Sequence, residues 1–174
     1  MSKSKNERRF YHTMQLIDQF LTRKDQILDL GIENQLSRLM SQEGYSVSNT
    51  GGEDLDDHYE NLKHIDADAV TGFEILEHLL NPYSVLKNLP GKKLLVTVPL
   101  SLWFSQPFRD VNADPREWHY HEFTDWQFDR LLEKSGWDIQ YREKWTGPTN
   151  KIGFRPLLRR ITPRYYAVYA VRRN

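Results

Sequence analysis

Apolar residues recur along this chain with two different periods, and the alternation between the two outlines its elements. From Glu7 to Thr22 the residues Phe10, Tyr11, Met14, Leu16, Ile17, Phe20 and Leu21 fall at helical spacing. This is an amphipathic helix within an N-terminal region, residues 1–24, and it needs a surface to cover. Gln26 to Leu30 reads as a strand closed by Gly31. Asn34 to Glu43 reads as a helix with Leu36, Leu39 and Met40 on one face and Gly44 as its stop. Tyr45 to Asn49 is a weaker second strand and Thr50 to Asp54 a turn. Asp54 to Asp68 is acidic and poorly periodic, which predicts a loop with a short strand around Leu55.

The central stretch is clearer. Ala69-Val70-Thr71-Gly72-Phe73 is short, partly β-branched and bounded by charge, the pattern of a core strand. Asn81-Pro82 opens a helix in the way proline at a first turn allows, with Tyr83, Val85, Leu86 and Leu89 on its buried face and Pro90-Gly91 as its stop. Lys93 to Val98 is the least ambiguous strand, closed by Pro99. Leu100 to Glu117 has no steady period and carries Trp103, Phe104 and Phe108, which predicts a lid-like or substrate loop, residues 100–117. The three aromatics either close over a substrate or pack on the rim of the domain. Thr124 caps a helix from Asp125 to Ser135, with Gly136 as its stop. Trp137 to Lys144 and Tyr165 to Val171 are strands, joined by a basic, Gly- and Pro-punctuated segment that shows no clear helix. Strands alternating with helices and ending in two adjacent strands predict an α/β fold. The sheet is mostly parallel and twisted with an antiparallel edge strand, and helices cover both faces.

Ligands of such sheets bind beyond the carboxyl ends of the strands, and there this chain places Glu74, Glu77 and His78. Their i, i+3, i+4 spacing puts all three on one face if the chain turns helical at that point. Two carboxylates and an imidazole would then face one site. The alternative is that these groups cap the following helix or bond a neighbouring loop.

Composition narrows the possibilities. At 174 residues the chain is expected to be one domain, residues 1–174, and without cysteine it has no disulfide, thiolate metal site or cysteine nucleophile. No apolar run approaches the ~20 residues of a membrane span, and the N-terminus lacks an apolar signal core, so a cytoplasmic location is expected. The formal net charge is +0, but it is unevenly spread. Residues 25–87 are strongly acidic, whereas the ends carry Lys3, Lys5, Arg8 and Arg9, then Lys151, Arg155, Arg159, Arg160, Arg164, Arg172 and Arg173. Those ends either attract an anion or form the ordinary basic rim of a soluble domain. Nucleic-acid binding is disfavoured, because the tyrosines between Phe154 and Tyr169 lie on an expected strand.

Four stretches in order resemble the class I S-adenosylmethionine-dependent methyltransferases, in particular the group with a strand-end E-x-x-E-H motif. They are ILDLG at Ile27 to Gly31, FEILEHLLNP at Phe73 to Pro82, PGKKLLVTVP at Pro90 to Pro99, and WHYHEFTDWQFDRLLEKSGW at Trp118 to Trp137. The resemblance implies a Rossmann-like sheet of seven strands with one antiparallel. It implies S-adenosylmethionine as cofactor, with Asp29, Gly31, Asp54 and Phe73 as the residues that bind it. Asp29 either anchors the donor's amino group or caps the next helix. The family's G-x-G-x-G here reads Gly31-Ile32-Glu33-Asn34-Gln35, which would set Glu33 and Gln35 side chains in the donor's space. Gly51 stands where an acid usually meets the ribose, and Asp54 is the nearest acid.

Two metal-dependent branches of that family, the ubiquinone-biosynthesis O-methyltransferases and the small-RNA 2′-O-methyltransferases, are also similar here. The likeness implies a divalent metal held by Glu74, Glu77, His78 and His119, with His121 a lesser alternate to His119. Mg²⁺, Mn²⁺, Zn²⁺ and Fe²⁺ all suit such ligands. Without a metal, His78 or His119 is the expected catalytic base. The expected function is methylation of a hydroxyl on a small metabolite or sugar-containing precursor, with a small-molecule substrate as partner. The alternative is a binding or scaffolding protein that keeps the fold and has lost the donor.

Overall fold

Two strands in this chain are buried from both sides, and the layers follow from that. In the computed structural model, which describes residues 5–105, 112, 114–147 and 153–174, the segments Ala69–Phe73 (β3) and Lys93–Pro99 (β4) form the middle of the sheet. Val70, Leu94, Leu95, Val96 and Val98 are all fully buried. A strand with apolar side chains on both faces must be covered on both.

Among the described residues the sheet has six strands. The others are Gln26–Asp29 (β1), Ser46–Asn49 (β2), Trp137–Thr146 (β5) and Pro163–Arg172 (β6), in the order β2-β1-β3-β4-β6-β5. The first four run parallel, and β6 runs antiparallel between β4 and β5, so an antiparallel pair forms that side of the sheet. The register sets a continuous apolar row across it: Leu28 opposite Val70, Val70 opposite Leu94, Leu94 opposite Ala170, and Ala170 opposite Ile139. Successive strand residues point to opposite faces, which divides the core. Lys5–Phe20 (α1) and Gln35–Gln42 (α2) cover one face through Leu16, Ile17 and Met40, against Ile27, Ala69 and Leu95. Leu55–Leu62 (α3), Pro82–Asn88 (α4) and Asp125–Lys134 (α5) cover the other through Leu55, Leu62, Val85, Leu86, Phe128 and Leu132.

Most helix ends obey local chemistry. Asn34 caps α2, accepting from the Leu36 and Ser37 amides, and Thr124 forms a capping box with Gln127 at α5. Three expectations change. Asp54 to Asp68 is not a loop with a strand but mainly α3, because Asp54 caps it and Leu55, Tyr59 and Leu62 share the inward side. Among the described residues the sheet has six strands where the resemblance implies seven, since α3 leads directly to β3. The basic segment before β6 contains a further helix, Phe154–Ile161 (α6). Phe108 lies outside the described residues. Trp103 is 79% exposed rather than packed on the rim, with Phe104 edge-on to it. Among the described residues no helix is long and apolar enough to cross a membrane.

Phe128 is fully buried between the rings of Phe123 and Tyr166. Phe128→Ala should therefore cost about 3–5 kcal/mol of unfolding free energy in urea titration. Leu157→Ala, on a side chain that is 57% exposed, should stay within about 0.5 kcal/mol. Equal losses at both positions would contradict this packing.

Candidate functional site

The carboxyl end of β3 does not continue into an α-helix. Glu74 adopts φ 57, in the left-handed region, and its amide donates to the Thr97 carbonyl on β4. A single 3-10 turn, Leu76–His78, follows. The positive φ breaks the helical continuity that the i, i+3, i+4 spacing would require, so Glu74 is set apart from Glu77 and His78 by backbone geometry rather than stacked with them. Among the described residues, Glu77, His78 and His119 bring their ligand atoms within 4.8 Å of one another. Glu74 lies outside that group, though near enough for its charge to act on Glu77.

Residues some forty positions apart meet here because the Glu77 carbonyl accepts the amides of both Tyr120 and His121, at 2.9 and 3.1 Å. The His78 Nδ1–H donates to the Trp118 carbonyl at 3.1 Å, which leaves the Nε2 lone pair 3.8 Å from Glu77 Oε1. The rings of His78 and His119 meet edge to face at 4.7 Å. His121 turns away and donates from Nε2 to the Leu80 carbonyl.

Burial governs the electrostatics. Glu77 is 1% exposed and its Oε2 has no hydrogen-bond partner. Burial, then the charge of Glu74, pushes its carboxyl well above the usual range. Burial lowers His78, and burial together with His78 and Arg164 lowers His119 to about 4. Both imidazoles are therefore neutral near pH 7 with lone pairs available. A buried carboxylate oxygen without a partner, beside two neutral imidazoles of which one has its other nitrogen fixed by a carbonyl, is a donor set that fits a divalent cation.

A cleft of about 230 Å³ lies beside this cluster, lined by Gly31, Thr50, Gly52, Asp54, Asp56, Ile75, His78, Leu79, Arg116 and Tyr120 among others. Gly31 holds φ 96 and its amide donates to Thr50 Oγ1 at 2.7 Å. A side chain there would be strained and would meet Ile75, so the bare backbone faces the cleft. Glu33 and Gln35 do not line it. Glu33 pairs with Arg38 on the exposed side of α2, and Gln35 is exposed at the helix start. The expected intrusion of these two side chains is thus absent, because the chain leaves Gly31 outward before α2 begins.

The remaining candidates are distributed around the cleft. Asp54 lines it while capping α3. Asp29 lies beneath, 2% exposed, accepting from Thr71 Oγ1 at 2.6 Å and Asn49 Nδ2 at 3.2 Å. It is not the cap of α2, a role Asn34 fills. Phe73 is half-buried and packs with the apolar residues on the α1 face, away from the cleft lining. Sequence reasoning missed Thr50, Asp56 and Tyr120. Asp56 accepts the amides of Leu80 and Asn81, both at 2.7 Å, and no local pattern signals a pairing across 24 residues.

Burial raises Asp29 to about 6 from 3.8, against the lowering effect of its hydrogen bonds to Thr71 and Asn49. Because the folded value is raised, the protonated carboxyl favours the folded state. That contribution is complete below about pH 4 and is lost as pH rises through about 6. Unfolding free energy should fall across this window by an amount on the order of 3 kcal/mol from this residue. Asp29→Asn should remove that share of the pH dependence relative to the parent chain, in which Glu77 adds a slope of the same sign and His119, held at about 4, one of the opposite sign. Equal slopes in urea titrations from pH 4 to pH 7 would contradict the assignment.

No protein-family model matches the sequence, and no curated protein matches it. Solved structures do. A chain from the complex between the Haloferax volcanii Trm112 methyltransferase activator and the putative methyltransferase superposes with TM-score 0.67 at 14% identity, covering 97% of this chain and 91% of that one. An S-adenosylmethionine-dependent methyltransferase from Mesorhizobium loti gives 0.63 at 14% identity, covering 97% and 98%. Another from Methanosarcina mazei gives 0.64 at 16% identity, covering 91% and 97%. At such identities the likeness speaks for architecture, and it agrees with the strand order and the two-sided helical cover described above. This chain has the class I S-adenosylmethionine-dependent methyltransferase fold.

Proposed function

We propose that the chain is an S-adenosylmethionine-dependent methyltransferase that methylates a hydroxyl on a small metabolite or sugar-containing precursor, acting in the cytoplasm. The observation that carries this reading is the meeting of Glu77, His78 and His119 beside a cleft floored by bare backbone at Gly31. In O-methylation the acceptor oxygen loses its proton and attacks the donor's methyl carbon, and the carbon–sulfur bond breaks to leave a neutral thioether. This chain would supply the donor's seat and a place for that proton. Gly31, Thr50 and Asp54 would receive the donor, with Asp29 fixing the strand end beneath it. With no ion bound, His78 or His119, both neutral near pH 7, would take the acceptor's proton; with an ion bound their lone pairs would be committed to it.

Glu77, His78 and His119 would hold a divalent cation, with Glu74 near enough to add its charge. Bound there, such an ion lowers the pKa of an acceptor hydroxyl and fixes its position. The cleft, at about 230 Å³, lies under the ~300–1,000 Å³ usual for small-molecule sites, so donor binding is the first thing to measure.

Calorimetric titration with S-adenosylmethionine, and with its demethylated product, should give saturable heat and a rise in melting temperature. No heat and no shift with either compound at millimolar concentration would overturn the enzymatic reading and leave a scaffold of the same fold. For the cation, titration with Mn²⁺ should show one site, and His119→Ala should weaken it by about tenfold or more. The variant's melting temperature should change little, since the side chain is only half-buried. Unchanged Mn²⁺ affinity in His119→Ala and in Glu77→Gln would remove the ion from the proposal.

A further inference from the structure

The helix α6 rests lightly on β5 and β6, the strands it joins. It is eight residues long, has no side-chain cap and contains no buried residue. An isolated helix of that length is marginal in water, and most helices are held by packing their apolar side. Here Leu158 is half-buried and the rest of that side is open. Phe154 is 70% exposed, Leu157 57% and Ile161 73%, and their i, i+3, i+7 spacing sets them along one stripe. Arg155, Arg159 and Arg160 share the helix with them. Among the described residues none of these three guanidiniums forms an ion pair, although six other arginines do.

The surroundings continue the pattern. No acidic residue follows Glu143 in the sequence, so the last strand and the segment before it carry positive charge only. The backbone just beyond α6 is tied to the end of β4: the Leu100 amide donates to the Arg164 carbonyl, and Arg164 Nη1 donates to the Leu100 carbonyl, both at 2.7 Å. The loop that then leaves β4 carries Trp103, 79% exposed. This puts a large exposed aromatic on the same rim of the sheet as the apolar stripe.

We propose that α6 is an in-plane anchor that seats the protein on an anionic lipid bilayer, with Phe154, Leu157 and Ile161 entering the acyl boundary and Arg155, Arg159 and Arg160 meeting lipid phosphates. A short helix with apolar and arginine-bearing sides matches both layers of such a surface at once. Charge complementarity selects this occupant over an uncharged apolar partner, because juxtamembrane basic residues are drawn to anionic headgroups. Trp103 fits the interface as an amphipathic aromatic. The inference is independent of whether the chain binds a methyl donor.

The test is flotation of the full chain with vesicles of phosphatidylglycerol and phosphatidylcholine, against vesicles of phosphatidylcholine alone. At ~0.1 M salt the chain should partition onto the anionic vesicles about tenfold or more over the neutral ones, and raised salt should release it. The triple variant R155E/R159E/R160E should lose the preference for anionic vesicles. A second variant, F154S/L157S/I161S, should lose retention while its circular-dichroism melt stays near that of the parent chain. Absence of binding to anionic vesicles would overturn the proposal, and so would binding that survives both triple variants. A concentration-dependent dimer that the serine variant dissolves, with no vesicle binding, would reassign the stripe to a contact between copies. RNA binding lost in the glutamate variant, again without vesicle binding, would reassign the arginines.

Discussion

The architecture depends on the double-sided burial of β3 and β4. Their side chains are apolar on both faces, so water must be excluded from both, and the only way this chain can do so is to lay helices above and below the sheet. The row from Leu28 through Val70, Leu94 and Ala170 shows how strictly register follows. A one-residue slip in any pairing would exchange the set that meets α3, α4 and α5 for the set that meets α1 and α2. Burial of this kind admits few polar groups along the strands, and two of those, Asp29 and Thr71, are paired with each other. It displaces function to their ends, where the chain emerges.

At that end a single carbonyl does much of the organising. Glu77 O accepts two amides from the segment that carries His119, and the Trp118 carbonyl accepts the His78 Nδ1–H in return. These reciprocal bonds bring two imidazoles and a carboxylate together without any salt bridge to secure them. The result is a site with a buried, unpartnered carboxylate oxygen next to rings held in their neutral form. Such an arrangement is costly unless something occupies it, since a desolvated carboxylate needs either a proton or a cation. Asp29 makes the same point on a smaller scale: two hydrogen bonds offset only part of the cost of its burial, and its proton affinity rises accordingly.

The surface of the molecule divides along the charge pattern. Acidic residues gather in the part of the chain that forms α3 and the turns around the cleft, while the basic residues of α6 and β6 belong to the opposite edge of the sequence. Both halves converge on one rim, because β6 is inserted beside β4 and begins where β4 ends. The cleft, the imidazoles and the open apolar stripe therefore lie at the same end of the strands.

The sequence by itself was enough for the α/β class, the helices on both faces, the two central strands and the cap at Thr124. Each of these rests on local periodicity or on a side chain bonding its own backbone within a few residues. Motif spacing also marked Glu77 and His78 as residues to watch, and the family resemblance added His119. What it could not settle were features created by distant pairings or by single backbone angles. Glu74 leaves the shared face because one residue takes a positive φ, and Glu33 and Gln35 leave the cleft because the chain turns outward after Gly31. Asp54 to Asp68 became a helix because the sheet offered Leu55 and Leu62 a place to be buried, which its weak period did not reveal. The meeting of His78 and His119 had the same origin, for only the folded backbone carries the Glu77 carbonyl to amides some forty residues away. Local pattern encodes which element forms; which side chains share a site is decided by packing between elements, whose energies depend on partners far along the chain.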